Sequence, residues 1–176
     1  MRMNRTNILY ICFVGVLLLA CNDNIPVTDL SEIKNKTPYK ENMLNATNYV
    51  AKSEENEINN YIKRRGWDDM KRMDNGLRIW EYDKGSGKPV EYNKMAAVSY
   101  SVESITGKMI YENEVDTIVV GKNEPNIGVD KALQMLNYGR RAKLILPSHL
   151  GYGVMGDGDR IGHNLVLVYD LKVENK

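Results

Sequence analysis

Residues 128–173 read GVDKALQMLNYGRRAKLILPSHLGYGVMGDGDRIGHNLVLVYDLKV, one helical pattern followed by two strand-like runs. Its first part places Val129, Ala132, Leu133 and Leu136 on one face at helical spacing, and Asn137-Tyr138-Gly139 closes it, so residues 129–136 are expected to form a short one-sided helix. Residues 142–146 (AKLIL) and 165–173 (LVLVYDLKV) are dense in Leu, Ile and Val and read as strands, separated by a long glycine-rich loop.

Upstream, residues 77–82, 97–102, 109–112 and 117–120 give four further strand-like runs, punctuated by turns such as Thr106-Gly107. The helix at 129–136 lies between the fourth and fifth strands and is the only one to interrupt them. Neighbouring strands with a single inserted helix imply an α+β domain in which an antiparallel sheet packs on that helix. Upstream, residues 46–65 (ATNYVAKSEENEINNYIKRR) are expected to form a leading helix, with Val50, Ile58, Tyr61 and Ile62 on one face and Gly66 placed to stop it. That face is thin, so the helix should pack against the following domain, with Trp67 and Trp80 as anchors beneath it.

The N-terminal quarter has another texture. Arg2 and Arg5 precede the apolar run of residues 8–20 (ILYICFVGVLLLA), the layout of a signal peptide and too short for a hydrocarbon core of roughly 30 Å. The run ends in Leu18-Leu19-Ala20-Cys21, which resembles the lipobox of bacterial lipoprotein precursors. The resemblance implies cleavage before Cys21 and acylation of that cysteine, hence a protein held to a membrane by lipid on the extracytoplasmic side of the bacterial cell envelope, at the outer membrane. Residues 22–45 are polar, contain Pro26 and Pro38, and read as an extended tether reaching roughly 25–30 Å. The expected organisation is a signal peptide at 1–20, a lipidated cysteine and tether at 21–45, a helical leader at 46–75 and a folded domain at 76–176.

Cys12 would leave with the signal and Cys21 would be acylated, so the mature chain would keep no thiol for a disulfide, a zinc site or a nucleophile. A net charge of +1 over 176 residues gives no basic excess for phosphates, so no nucleic-acid partner is expected. A monomer is expected.

The run 128–173 resembles the C-terminal half of FKBP-type peptidyl-prolyl cis/trans isomerases. The likeness rests on the G-x-[DE]-x-[AG]-[LV] opening at Gly128, the glycine before R-A-x-L-x-[IL]-P at residues 141–147, the Tyr152-Gly153 of the long loop, and Tyr169-Asp170 on the last strand. Residues 76–121, with VSYSVESITGKMIY, match the front half more loosely. The leading helix, residues 67–70 (WDDM) and the P-S-x-x-x-Y-G-x-x-G-D-x-x-x-I-G-x-N loop are similar to FKBP-type lipoproteins of Bacteroidetes, including gliding-motility-associated isomerases. The implied fold is a twisted antiparallel sheet wrapped around one short helix, and the implied partners are proline-containing polypeptides.

By position, the resemblance makes Tyr100, Tyr152 and Tyr169 the surviving aromatic wall of a proline pocket. Ile110 stands where Phe is usual, Tyr111 where a carboxylate is usual, Asp116 where a second Phe is usual, and Val129 where the floor is usually Trp. Pro125-Asn126 replaces a Val-Ile pair, so Asn126 would supply the backbone N–H that binds the carbonyl after proline. Ile110 and Val129 are equally suited to filling a plain core. The only Phe of the chain is Phe13, so any aromatic pocket must be made of Tyr and Trp, and a buried Tyr hydroxyl needs a partner. The functional alternative is an FKBP-like peptide-binding or accessory lipoprotein that has lost catalysis.

Other patterns are weaker. Residues 151–156 (GYGVMG) satisfy G-x-G-x-x-G, but turn residues follow them where a dinucleotide site needs a helix. Asp157 and Asp159 lack the ligand alternation of a calcium loop and read as a turn, and His149 and His163 lack ligand-spaced partners. No cofactor and no metal are expected.

Overall fold

The apolar runs pair into one six-stranded sheet in a computed structural model describing residues 37–83, 85 and 87–175. Cys21, the apolar run before it and residues 22–36 of the expected tether lie outside the described residues. The elements are helix α1 (Thr37–Arg65), strands β1 (Lys71–Arg72), β2 (Arg78–Asp83), β3 (Met95–Ser104) and β4 (Met109–Val119), helix α2 (Ile127–Leu133), strand β5 (Arg141–Leu146), a 3-10 turn (Ser148–Leu150) and strand β6 (Leu167–Val173). Every pairing is antiparallel, in the order β1-β2-β5-β6-β3-β4. Asn45–Lys176 forms one structural unit.

Alternation along the strands sorts side chains into two interiors. Leu77, Ile79, Val98, Val102, Leu144, Leu146, Leu167, Tyr169, Leu171 and Val173 join Val129, Ala132 and Leu133 of α2 in the larger one. Ile145 and Val168, one residue out of step with their neighbours, join Ile58 and Tyr61 of α1 with Ile105 and Val166 on the other side. Each fully buried aliphatic side chain contributes roughly 1.5–3 kcal/mol relative to exposure, so even the smaller cluster holds α1 firmly.

Helix α1 ends as a glycine-terminated helix should. Gly66 takes φ +66°, Trp67 N–H donates to the Ile62 carbonyl at 3.2 Å and Gly66 N–H to that of Lys63 at 3.3 Å. This leaves Trp67 against Tyr61, ring centroids 5.5 Å apart, and Trp80 5.9 Å from Trp67. The two tryptophans thus pack at the end of α1, with Lys143 over Trp67 at 5.8 Å.

Several expected boundaries are corrected. Helix α1 begins at Thr37, not 46, so part of the expected tether is helical. Residues 41–53 are exposed all round, which leaves no apolar period to read, and Pro38 is compatible with a first helical turn. Val50 is 43% exposed and does not join Ile58 and Tyr61. The expected leader at 46–75 includes β1, whose Lys71 and Arg72 pair with Ile79 and Arg78, so the sheet starts before residue 76. Runs 109–112 and 117–120 are one edge strand, because Glu114 and Val115 continue the pairing with Tyr100 and Ser99.

Tyr61 donates to Glu103 Oε1 at 2.5 Å and Tyr82 to Asp170 Oδ1 at 2.6 Å. Burial first, and then these carboxylates, push both phenols up from 10.0 to about 12. A raised folded-state pKa means that the stabilisation is complete below the ordinary value and disappears as pH rises towards the folded value. The urea midpoint should therefore fall between about pH 10 and about pH 12. The Tyr61→Phe, Tyr82→Phe double variant should show a flatter fall, and an unchanged pH slope would contradict this assignment.

Candidate functional site

Three tyrosines meet on the α2 side of the sheet. Tyr169, on β6, is 1% exposed, and its ring lies 5.9 Å from that of Tyr100 on β3 at a 46° tilt. Burial, and the neighbouring phenols of Tyr152 and Tyr100, hold the Tyr169 hydroxyl well above its ordinary pKa, although the Asn126 hydrogen bond opposes the shift. Tyr100 is raised as well, first by burial and then by Asp116, Tyr152 and Glu114. Tyr152 is half-buried in the loop after β5.

Asn126 links this group to α2. Its Oδ1 accepts from Val129 N–H at 2.9 Å, capping the helix, while its Nδ2 donates to the Tyr169 hydroxyl at 3.1 Å. One amide thus meets two needs, an orphan N–H at a helix start and a phenol with no access to water. Asp130, fully buried in the first turn, accepts from Gly121 N–H at 2.6 Å, Asn123 N–H at 3.1 Å and Gln134 Nε2 at 3.0 Å. These bonds fasten the connection between β4 and α2.

Tyr111 lies partly buried on β4, and its hydroxyl donates to Asp157. Arg160 places its guanidinium 4.7 Å from the Tyr111 ring centroid and reaches the Ile110 carbonyl at 3.4 Å. The 150s loop is therefore folded back onto the start of β4. Burial alone would raise the Asp157 carboxyl, but hydrogen bonds from Tyr111 and from the backbone N–H groups of Asp159 and Ile161 outweigh it and hold the pKa below the ordinary value. The acceptor that the loop offers explains why a tyrosine fits at position 111.

The expected pocket residues sort by depth. Val129 and Tyr169 are each 1% exposed and lie beneath the surface, as does Asn126. Tyr100, Ile110, Tyr111 and Tyr152 are half-buried and pack against the same core. Asp116 is exposed at the rim, its carboxylate accepting from Thr117 N–H at 2.7 Å.

A family model for FKBP-type peptidyl-prolyl cis-trans isomerase matches residues 86–174. The chain belongs to that family. A probable FKBP-type peptidyl-prolyl cis-trans isomerase, FkpA of Neisseria meningitidis, is 28% identical over 108 residues, 60% of this chain and 40% of that protein. Mouse peptidyl-prolyl cis-trans isomerase FKBP10 is 36% identical over 61 residues, 35% of this chain and 10% of that protein. The chain thus spans less than half the length of these curated relatives. Among solved structures, a peptidyl-prolyl cis-trans isomerase from Pseudomonas syringae aligns with TM-score 0.60 at 22% identity, covering 73% of this chain and 93% of that one. AtFKBP13 aligns with TM-score 0.57 at 20% identity, covering 61% and 98%. Both share the FKBP fold, the six-stranded antiparallel sheet around a short helix.

Sequence reasoning about this FKBP-type chain missed Glu54, Ser148 and Arg160 as residues that shape the loop. It assigned Asn126 a backbone role only, although an Asn placed just before the GVD opening is itself an N-cap signal. The G-x-G-x-x-G stretch is a series of turns in which Gly156, at φ +70°, leaves the Ile161 carbonyl where a Cβ would clash with it. His149 and His163 hold the Asn75 and Val154 carbonyls. Among the described residues no acidic, His or Cys group is arranged to hold a metal.

Asn126→Ala should cost about 1 kcal/mol for the lost cap and about 0.5–1.5 kcal/mol more for the lost hydrogen bond to the Tyr169 hydroxyl, which keeps Tyr152 as a partner. In a Tyr169→Phe background only the cap cost should remain. Urea denaturation of the four variants measures this, and equal losses in both backgrounds would show that the two residues are uncoupled.

Proposed function

We propose that this protein is a peptidyl-prolyl cis/trans isomerase acting on extracytoplasmic polypeptides from a lipid anchor at Cys21 in the bacterial cell envelope, of the Bacteroidetes lipoprotein type. The observation that carries the reading is the convergence of Tyr100, Tyr152 and Tyr169 within the family-matched segment. The Leu-Ala-Cys end of the apolar run supports the anchor; acyl chains add roughly 0.8 kcal/mol per buried methylene, enough for lasting attachment when several chains are present.

The reaction needs no nucleophile, metal or base. Rotation about an X-Pro bond faces a barrier of about 18–20 kcal/mol because amide resonance resists twisting. A water-poor surface favours the twisted amide, which has lost charge separation, and each 1.36 kcal/mol gained there is about tenfold in rate. Tyr100 and Ile110 would contact the proline ring and Tyr152 would donate its hydroxyl to a peptide carbonyl. Asn126 would offer its backbone N–H, while Val129 and Tyr169 back the floor. Tyr111 and Asp116 would stand at the rim.

A second reading, peptide binding without catalysis, is favoured by the depth of Val129 and Tyr169. A prolyl-peptide isomerisation assay separates the two. Under the first reading the purified protein accelerates isomerisation, and Tyr152→Phe lowers the rate roughly two- to tenfold, the effect of one hydrogen bond. A folded wild type that adds nothing to the background across X-Pro peptides with different residues before proline contradicts it.

The anchor is tested separately. Cys21→Ser should abolish labelling by a fatty-acid analogue and release the protein from the membrane fraction, whereas unchanged labelling and retention would contradict the lipoprotein assignment.

A further inference from the structure

Glu54 is a carboxylate only 8% exposed, on a helix that lies wholly outside the family-matched segment. Both of its oxygens are used on one residue 94 positions away. Oε2 accepts from Ser148 N–H at 3.0 Å and Oε1 from Ser148 Oγ at 2.5 Å. Bonds to a charged acceptor are about twice as strong as neutral ones, so Ser148 is fixed in position and direction where the chain leaves β5.

Ser148 in turn governs its neighbours. Its carbonyl accepts from Gly151 N–H at 3.1 Å and from Gly153 N–H at 2.9 Å, so the residues on both sides of Tyr152 hang from the carbonyl of the residue that Glu54 holds. The far side of the same loop is fastened by Gly156 N–H to the Tyr152 carbonyl at 3.1 Å and by Asn164 N–H to the Gly153 carbonyl at 2.8 Å. A path of direct hydrogen bonds therefore runs from α1 to the backbone that carries the Tyr152 phenol.

We propose that Glu54 is a positioning residue for the isomerase site, clamping Ser148 so that the Tyr152 hydroxyl stands where the peptide carbonyl will be. This rests on the reading of Tyr152 given under the proposed function. It makes α1 a working part of the site: the helix is held on the sheet through Ile58 and Tyr61, and Glu54, one turn before Ile58, turns that docking into loop geometry.

The test is a double-mutant cycle on the purified full chain, with kcat/KM read on an X-Pro peptide and folding checked by circular dichroism. Glu54→Ala should lower the rate by up to the roughly two- to tenfold that removing the Tyr152 hydroxyl itself costs, because it acts only through that group. Glu54→Gln, which can still accept from the Ser148 N–H, should recover most of that loss. Tyr152→Phe should cost little once Glu54 is Ala, because the hydroxyl is already misplaced; residues acting through one another are non-additive. If Glu54→Ala does not fold, Ser148→Ala carries the same cycle, with a loss of roughly two- to tenfold that vanishes in the Tyr152→Phe background.

An active wild type whose losses simply multiply, or a folded Glu54→Ala or Ser148→Ala protein with the wild-type rate, overturns the positioning role and leaves the isomerase reading intact. An inactive wild type overturns the isomerase reading itself, and the positioning role falls with it.

Discussion

Strand β6 faces two apolar interiors, and the other elements are arranged by that alternation. Leu167, Tyr169, Leu171 and Val173 point to the side that holds α2, and Val168 points to the side that holds α1. Sliding β6 by one residue against β5 and β3 would exchange these sets, placing Asp170 and Lys172 in the larger core. The register is fixed on both faces, so the loop that leaves β5 and the loop that enters β6 have defined starting points. The long segment between them carries Tyr152.

The same alternation places a tyrosine where no water reaches. A buried phenol without a partner would cost about 1–3 kcal/mol, and here its partners are Tyr152 and Asn126, the latter also opening α2. The floor of the site is thereby joined to the start of the helix it rests on. What remains on the surface is a set of half-buried rings, Tyr100, Tyr111 and Tyr152, each with an ionisable or hydroxyl group nearby. Such a wall is more polar and more hydrogen-bonded than one of phenylalanine, and it relies on the loop for its shape: Tyr111 needs Asp157, and Tyr152 needs the backbone fastened at Ser148.

The sheet and α2 were legible because their residues are buried in regular patterns: AKLIL at 142–146 and LVLVYDLKV at 165–173 announce strands, and the apolar positions of 129–136 announce a helix face. Strand β4 was split because it is an edge strand with exposed Glu112 and Asn113 in its middle, which break the apolar run where the register shifts between the Tyr100–Glu114 and Val102–Tyr111 pairs, although pairing resumes on both sides. The early turns of α1 were invisible for a similar reason, since a fully exposed helix needs no apolar period. Family likeness brought Tyr100, Tyr152 and Tyr169 together, and the structure adds their depth. The clamp between Glu54 and Ser148 could not be read at all, because two polar residues so far apart carry no local signal until the fold joins them.

Under the proposed function, proline binds the half-buried tyrosine surface on the α2 side of the sheet, not the aromatic row of Trp67, Trp80 and Tyr82 on the side of α1. Intermolecular nuclear Overhauser effects from the ring protons of a bound X-Pro peptide test this most directly. Transfers to the aromatic protons of Tyr100 and Tyr152 and to the methyl groups of Ile110 are expected. Transfers confined to Trp67, Trp80 or Tyr82 would contradict it.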